Sequence, residues 1–199
     1  MVTSSTDVEY YYTCRVSTER RATIGDAAIE VIAAEGMRGL THRAIDRFAG
    51  LPAGSTSYYA RTRAALLELA ISRMIELDEV TVDPRPGQFA EYVAGFAYAA
   101  ITQGRTRMLA RYEFALEATR RPELREAYDR GGLVIRKRCA EVLAECGSAE
   151  PERHARVLVG WLDGTIFDAL AGTGSLRPPD LAELTRNARE VLAGLGVAG

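Results

Sequence analysis

The sequence predicts an all-α protein of about nine helices, and three observations carry that prediction. Apolar residues recur three and four apart in one segment after another, the spacing that lines one face of a helix. The segments are separated by helix punctuation. Glycine stands where a helix would stop, proline where one would start, and Ser, Thr or Asp where free first-turn amides need a cap. No stretch alternates apolar and polar residues between hairpin turn signals, so no strand is expected.

Residues 1–16 form a polar leader containing Tyr10-Tyr11-Tyr12 and are expected to be mobile. The first helix is expected over residues 17–35, with Ile24, Ala28, Val31 and Ile32 as its core stripe and Gly36 as its stop. Met37 and Leu40 should plug a small core. A second helix opens at Thr41, whose hydroxyl can accept from the first-turn amides, and carries Ala44, Ile45, Phe48 and Ala49 on one apolar face. Gly50 ends it, Leu51 buries the turn, and Pro52 cannot continue the helix. A third short helix follows over residues 53–59. The fourth, over residues 62–80, has Thr62 as its cap and Leu66, Leu67, Ala70, Met74 and Leu77 as its buried line.

Asp83-Pro84-Arg85-Pro86-Gly87 is the clearest break in the chain. Beyond it, a fifth helix over residues 88–103 carries Phe89, Tyr92, Val93, Phe96, Ala97 and Ala100. The sixth, over 106–120, carries Met108, Leu109, Tyr112, Ala115 and Leu116. The seventh runs from the first-turn proline Pro122 to Glu145, with Gly131-Gly132 as a candidate kink. The eighth is expected over 150–172. The ninth starts after Pro178-Pro179 with Asp180 near its beginning and carries Leu184, Ala188, Val191 and Leu195.

Composition narrows the function classes. The chain has 199 residues, 47% of them apolar, which fits one large or two small globular domains. Its net charge of −2 excludes a uniformly basic nucleic-acid coat. The charge is unevenly spread. Residues 15–63 hold eight Arg against five acidic residues, whereas residues 64–199 hold 17 basic against 20 acidic residues. Three cysteines, Cys14, Cys139 and Cys146, have no metal-ligand spacing and read as reduced thiols. Residues 1–18 lack the apolar segment of a signal peptide, and no stretch is long and apolar enough for a membrane helix, so a cytoplasmic location is expected.

Residues 41–63 read as a helix-turn-helix. The third helix is small or hydroxylated at its start (Ser55, Thr56, Ser57) and continues with Tyr58 and Tyr59. A helix that enters a DNA major groove needs little bulk at its N-terminal end, and donors and acceptors for base edges and phosphates. Thr41, His42 and Arg43 open the second helix and form a candidate phosphate clamp. His42 is read without a carboxylate, cysteine or histidine partner nearby, so no catalytic dyad and no metal ligand is assigned. Arg20 and Arg21 read either as solvated charge or as phosphate contacts. The leader reads either as an over-long start or as a DNA-contacting arm.

At these residues the chain resembles the TetR family of transcriptional regulators, over about residues 19–67 and more loosely in helical pattern beyond. Thr41, Ala49-Gly50-Leu51, Gly54-Ser55, Tyr58-Tyr59, Arg63 and Ala65-Leu66-Leu67 carry the resemblance. Three positions depart: Ser57 stands where a recognition-helix tyrosine is usual, Ala60 where a phenylalanine is usual, and Arg63 where a lysine is usual. The resemblance implies a leader (1–16), a DNA-binding head (17–63) and a helical ligand-binding and dimerisation body (64–199), with the fourth helix passing between head and body. It places Tyr58 outward on DNA, Tyr59 inward, and Arg63 among the DNA contacts.

For the body the resemblance implies a small-molecule pocket, with Tyr92, Phe96, Met108, Tyr112 and Trp161 as candidate lining. The same aromatic residues also read as ordinary core. Asp163 and Asp168 read as a ligand contact or as surface carboxylates. Helices eight and nine are the expected homodimer interface, through Gly160, Gly164, Phe167, Leu184, Ala188 and Val191; Gly160 and Gly164, four apart, would admit a second helix closely. Two-fold symmetry then implies a near-palindromic operator. The function expected is a ligand-responsive repressor that needs no cofactor and is not an enzyme. Two other readings stay open: an all-α carrier or enzyme-like bundle, and an adaptor dimer with an inactive head, which Ser57 and Ala60 keep alive.

Overall fold

The computed structural model describes residues 5–78 and 87–197, with side chains from residue 17 onward apart from residues 78 and 123. Among the described residues every regular element is helical. In chain order they are α1 (Ser5–Gly39), α2 (His42–Phe48), α3 (Ser55–Tyr59), α4 (Arg63–Asp78), α5 (Phe89–Ile101), α6 (Arg105–Ala118), α7 (Pro122–Glu145), α8 (Pro151–Leu170) and α9 (Leu181–Gly194), with a 3-10 turn, Thr173–Leu176, before α9. The break expected at residues 83–86 lies outside the described residues.

Two compact units result, one of Met1–Glu79 with Ala110–Ala127 and one of Val80–Leu109 with Tyr128–Gly199. In the first, α1 packs against α4 and α2. Ile24, Ala28, Val31 and Ile32 are fully buried, and Met37 and Leu40 join them, as their helical spacing requires. Gly25 permits the close approach of α4: a Cβ there would come within 2.7 Å of the Arg73 side chain. Arg73 turns its guanidinium to Asp26 at 2.7 Å, tying the same two helices. The helical run breaks at Gly36, which takes φ 69°, a left-handed conformation glycine adopts without steric cost. At its other end the helix starts at Ser5, twelve residues before the expected start, so the backbone of the leader is helical from there.

In the second unit α5 packs against α8 and α9. Ala90, Ala94, Ala97 and Ala100 give α5 a buried face, and Leu158 and Ile166 of α8 and Leu184, Ala188 and Leu192 of α9 are buried as well. Asp180 caps α9, its carboxylate accepting from the Glu183 amide at 2.7 Å. Arg189 of α9 pairs with Glu91 of α5. Burial, and secondarily the neighbouring Cys139, raises the Tyr92 hydroxyl. Burial pushes the Cys139 thiol up to about 11.

Three expectations are corrected. Phe48 is 44% exposed, with the Arg47 guanidinium 5.6 Å from its ring centre, because Asp46 occupies the inner face of α2 instead. Leu77 and Leu116 are exposed; in α6 the inward face is Met108, Ala110, Phe114 and Ala118. α7 runs as one helix from Pro122 to Glu145, through Gly131-Gly132.

Candidate nucleic-acid interface

The head is built on two short helices, α2 of seven residues and α3 of five. Neither is long enough to be stable by propensity alone, so their ends must be satisfied from outside. Thr41 supplies the α2 cap as its sequence position indicates, its hydroxyl accepting from the Ala44 amide at 3.1 Å. Gly50, at φ 63°, and Leu51 make the turn, with the Leu51 amide donating to the Asp46 carbonyl at 2.8 Å.

The N-cap of α3 is Gly54, at φ 89° and without a side chain to offer. Asp46 of α2 takes that role. Its Oδ2 accepts from the Gly54 amide at 2.7 Å, and its Oδ1 accepts from the Thr56 amide at 2.9 Å and the Thr56 hydroxyl at 2.5 Å. Asp46 is 5% exposed and Thr56 fully buried. Burial alone would raise the Asp46 carboxyl. The Thr56 hydroxyl, the Thr56 and Gly54 amides and the charge of His42 outweigh burial and hold the carboxyl below its ordinary value of 3.8.

At the other end of α3, His42 Nε2 donates to the carbonyl oxygen of the C-cap residue Ala60 at 2.6 Å. Asp46 is thus a carboxylate one turn along from His42, which the sequence reading passed over. Arg63 donates to the carbonyl oxygens of Leu40 and Met37, so its guanidinium is engaged with the segment that ends α1. Thr62 caps α4 as expected, accepting from the Ala65 amide at 3.1 Å.

The expected DNA residues therefore divide. Thr41, Arg43, Ser57 and Tyr58 are exposed and Ser55 partly so. Tyr58 is 79% exposed, and its ring stands edge-on to Tyr59, 5.1 Å between centroids at 79°. Tyr59 is half-buried, and Thr56, His42 and Arg63 direct their polar groups into the head. Arg20 and Arg21 are exposed on α1, and Arg47 pairs with Glu35 at 2.8 Å. Asp46 was missed because a carboxylate on a short polar helix reads as solvated. The usable signal was its place beside Ile45 on the apolar face, eight residues before a glycine that has no side chain to cap a helix.

The expected ligand residues lie as follows. Tyr92, Phe96 and Trp161 are half-buried in the second unit, where Met108 is fully buried; Tyr112, half-buried, belongs to the first. A separate cleft of about 450 Å3 in the second unit is lined by polar groups that include Thr165, Asp168, Arg177, Glu183 and Asn187, and by none of the expected ligand residues. Asp168 is exposed, accepting from the Gly174 amide at 3.2 Å, and Asp163 is half-buried.

Of the expected interface residues, Gly160, Gly164 and Phe167 are exposed and Val191 is half-buried. Leu184 and Ala188 have no exposed surface: they fill their own subunit against α5, so the face of α9 they occupy is not offered outward.

His154 is buried at the start of α8, accepting from Arg153 at 2.8 Å and donating to Ser148 at 2.7 Å, a satisfied structural group. Among the described residues no group of three or more His, Cys, Asp or Glu is placed to hold a metal ion. No described helix is long and apolar enough to cross a membrane.

The chain matches the family model described as tetracyclin repressor-like, C-terminal domain, over residues 84–196, more than half its length. No curated protein matches it. Among solved structures it is similar to a transcriptional regulator from Rhodococcus sp. Rha1, at 22% identity and a TM-score of 0.73, covering 90% of this chain and 99% of that one. It is similar to the multidrug binding protein EbrR complexed with ethidium, at 30% identity and a TM-score of 0.66, over 88% of this chain and 98% of that one. A TetR-family member from Streptomyces coelicolor A3 shares 26% identity at a TM-score of 0.63, covering 87% of this chain and 98% of that one. With a helix-turn-helix at its head and this match over its body, the chain belongs to the TetR family of transcriptional regulators.

Proposed function

We propose that the protein is a ligand-responsive repressor that binds a near-palindromic operator as a homodimer and is released by a small molecule. The observation that carries the reading is the exposed surface of α3: Ser57 and Tyr58 project from a helix whose inner face and both ends are held by α2. With Thr41, Arg43 and Ser55 they present hydroxyls, a cation and a ring, the groups that meet phosphates and base edges.

The homodimer is proposed through α8, where Val157, Gly160, Gly164 and Phe167 lie exposed along the helix. A Cβ on either glycine would meet nothing of its own chain within 4 Å, which leaves room for a second helix. For the effector, the likeness to EbrR, solved with ethidium and with proflavin, supports a planar aromatic compound. Tyr92, Phe96, Met108 and Trp161 are the proposed contacts in the second unit. The effector must bind the DNA-released conformation more tightly than the DNA-bound one, and DNA and effector then weaken each other reciprocally.

Selection of bound sequences from a random DNA pool at two salt concentrations tests the reading. A near-palindromic motif bound more weakly as salt rises is the expected result. Absence of enrichment at both salts, from protein shown to be free of bound small molecules, would refute it.

A further inference from the structure

We infer that His42 and Asp46 act together as positioning residues for DNA recognition, a two-point clamp by which α2 fixes the start and the end of α3. The inference rests on the DNA-reading function proposed above. The two residues are four apart on α2 and so share one face of it. From that face Asp46 takes the Gly54 and Thr56 amides at the N-terminal end of α3. From the same face His42 takes the Ala60 carbonyl at the C-terminal end.

A five-residue helix contributes little of its own stability, and its cap glycine contributes no side chain. The orientation of Ser57 and Tyr58 on DNA is therefore set by how α2 holds the two ends. Neither clamp residue needs to touch DNA. His42 Nε2 is engaged by the Ala60 carbonyl, and Asp46, a buried anion, would repel a phosphate. Thr56 belongs to the clamp for the same reason: its hydroxyl is turned onto Asp46 and is withdrawn from the readout.

The test uses the full-length protein and the variants Asp46→Ala, Asp46→Asn, His42→Ala and His42→Gln. Amide hydrogen exchange is followed by NMR without DNA. Affinity is then measured for the selected operator and for a scrambled duplex of equal length at the same salt.

The clamp predicts that Asp46→Ala and His42→Ala speed exchange in α3 by about tenfold or more, while α1 and α4 keep parental protection. Operator affinity should fall by about tenfold, with scrambled-duplex affinity held within about twofold, because the phosphate-contacting charges are untouched. His42→Gln keeps an N–H that can reach the Ala60 carbonyl and should recover most of the loss. Asp46→Asn keeps the volume but sets an amide donor against the Gly54 and Thr56 donors, and should lie between Asp46→Ala and the parent.

If an alanine variant does not fold, Asp46→Asn carries the same two readouts. Parental exchange in folded Asp46→Ala, Asp46→Asn or His42→Ala overturns the clamp. Faster exchange with an unchanged ratio of operator to scrambled affinity also overturns it, since the ties would then hold the helix without setting its readout. If the parent itself prefers no duplex, the DNA-reading proposal fails, while the exchange measurement still decides whether the clamp exists.

Discussion

The α2–α3 pair and the α8–α9 pair show two ways of holding helices in place. α8 and α9, of 20 and 14 residues, are held by apolar burial, with Leu158, Ile166, Leu184 and Leu192 at or below 1% exposure. α2 and α3, of seven and five residues, have fewer apolar side chains to bury and are held at their ends by Thr41, His42 and Asp46. Burial scales with area, so the long helices draw stability from many side chains at once. A hydrogen-bonded tie is directional and concentrated, so the short helices draw their geometry from a few atoms.

The largest expected effect lies in the apolar pair. Leu184→Ala should lower unfolding free energy by about 2–5 kcal/mol, because the site cannot collapse onto the cavity between α9 and α5. Chemical denaturation measures it, and a loss under about 1 kcal/mol would show that α9 is not anchored there.

Next come the polar ties. Asp46→Asn should cost about 1–3 kcal/mol by leaving buried donors unmatched. The cost should depend on pH in a definite sense. The folded carboxyl titrates below its ordinary 3.8, so its contribution is fully present above that pH and is lost as pH falls through the folded value. The gap between parent and variant should therefore narrow below about pH 4, read from denaturation at a series of pH values. A gap that widens toward acid would contradict the hydrogen bonding described for Asp46.

Arg63→Ala sharpens the comparison from another side. As a tie to the Met37 and Leu40 carbonyls it should cost about 1–3 kcal/mol of stability. As a surface phosphate contact it would weaken DNA binding at unchanged stability. Melting and DNA titration on the same variant separate the two roles.

Gly160→Leu should leave subunit stability unchanged, since the new side chain meets open space within the chain. Overpacking of the proposed contact should weaken dimerisation by about 1–3 kcal/mol, measured by sedimentation. An undiminished dimer would move the interface off this stripe. The smallest effect is Tyr58→Ala, which should weaken operator binding by about 1 kcal/mol without altering the melting temperature. A change in melting would mean that Tyr58 supports Tyr59 more than it meets DNA.

Much of the fold was legible in the sequence because helix signals are local. Thr41 and Thr62 cap the helices they were expected to cap, Asp180, expected near the start of α9, caps it, Gly36 and Gly50 end theirs, and Pro122 opens α7. The site was legible in outline. Tyr58 faces outward as the resemblance implied, while Thr56, His42 and Arg63 are drawn inward by partners 10 to 26 residues away in the chain. Helical spacing placed Leu184 and Ala188 on the buried stripe of α9, which Leu192 rather than Val191 completes, yet spacing cannot say whether a stripe meets its own subunit or a second one. Leu184 and Ala188 were expected at an interface and lie in the core.

By itself the sequence determined where most helices begin and end, the start of α1 excepted, which residues are apolar on each, and the family pattern of residues 41–67, because caps, stops and periodicity act over one or two turns. The tertiary structure alone decided which polar group satisfies which. A cap supplied from another helix, as Asp46 supplies one to Gly54 and Thr56, leaves no mark at fixed spacing, since the free amides of a helix end accept any oxygen that folding brings within reach.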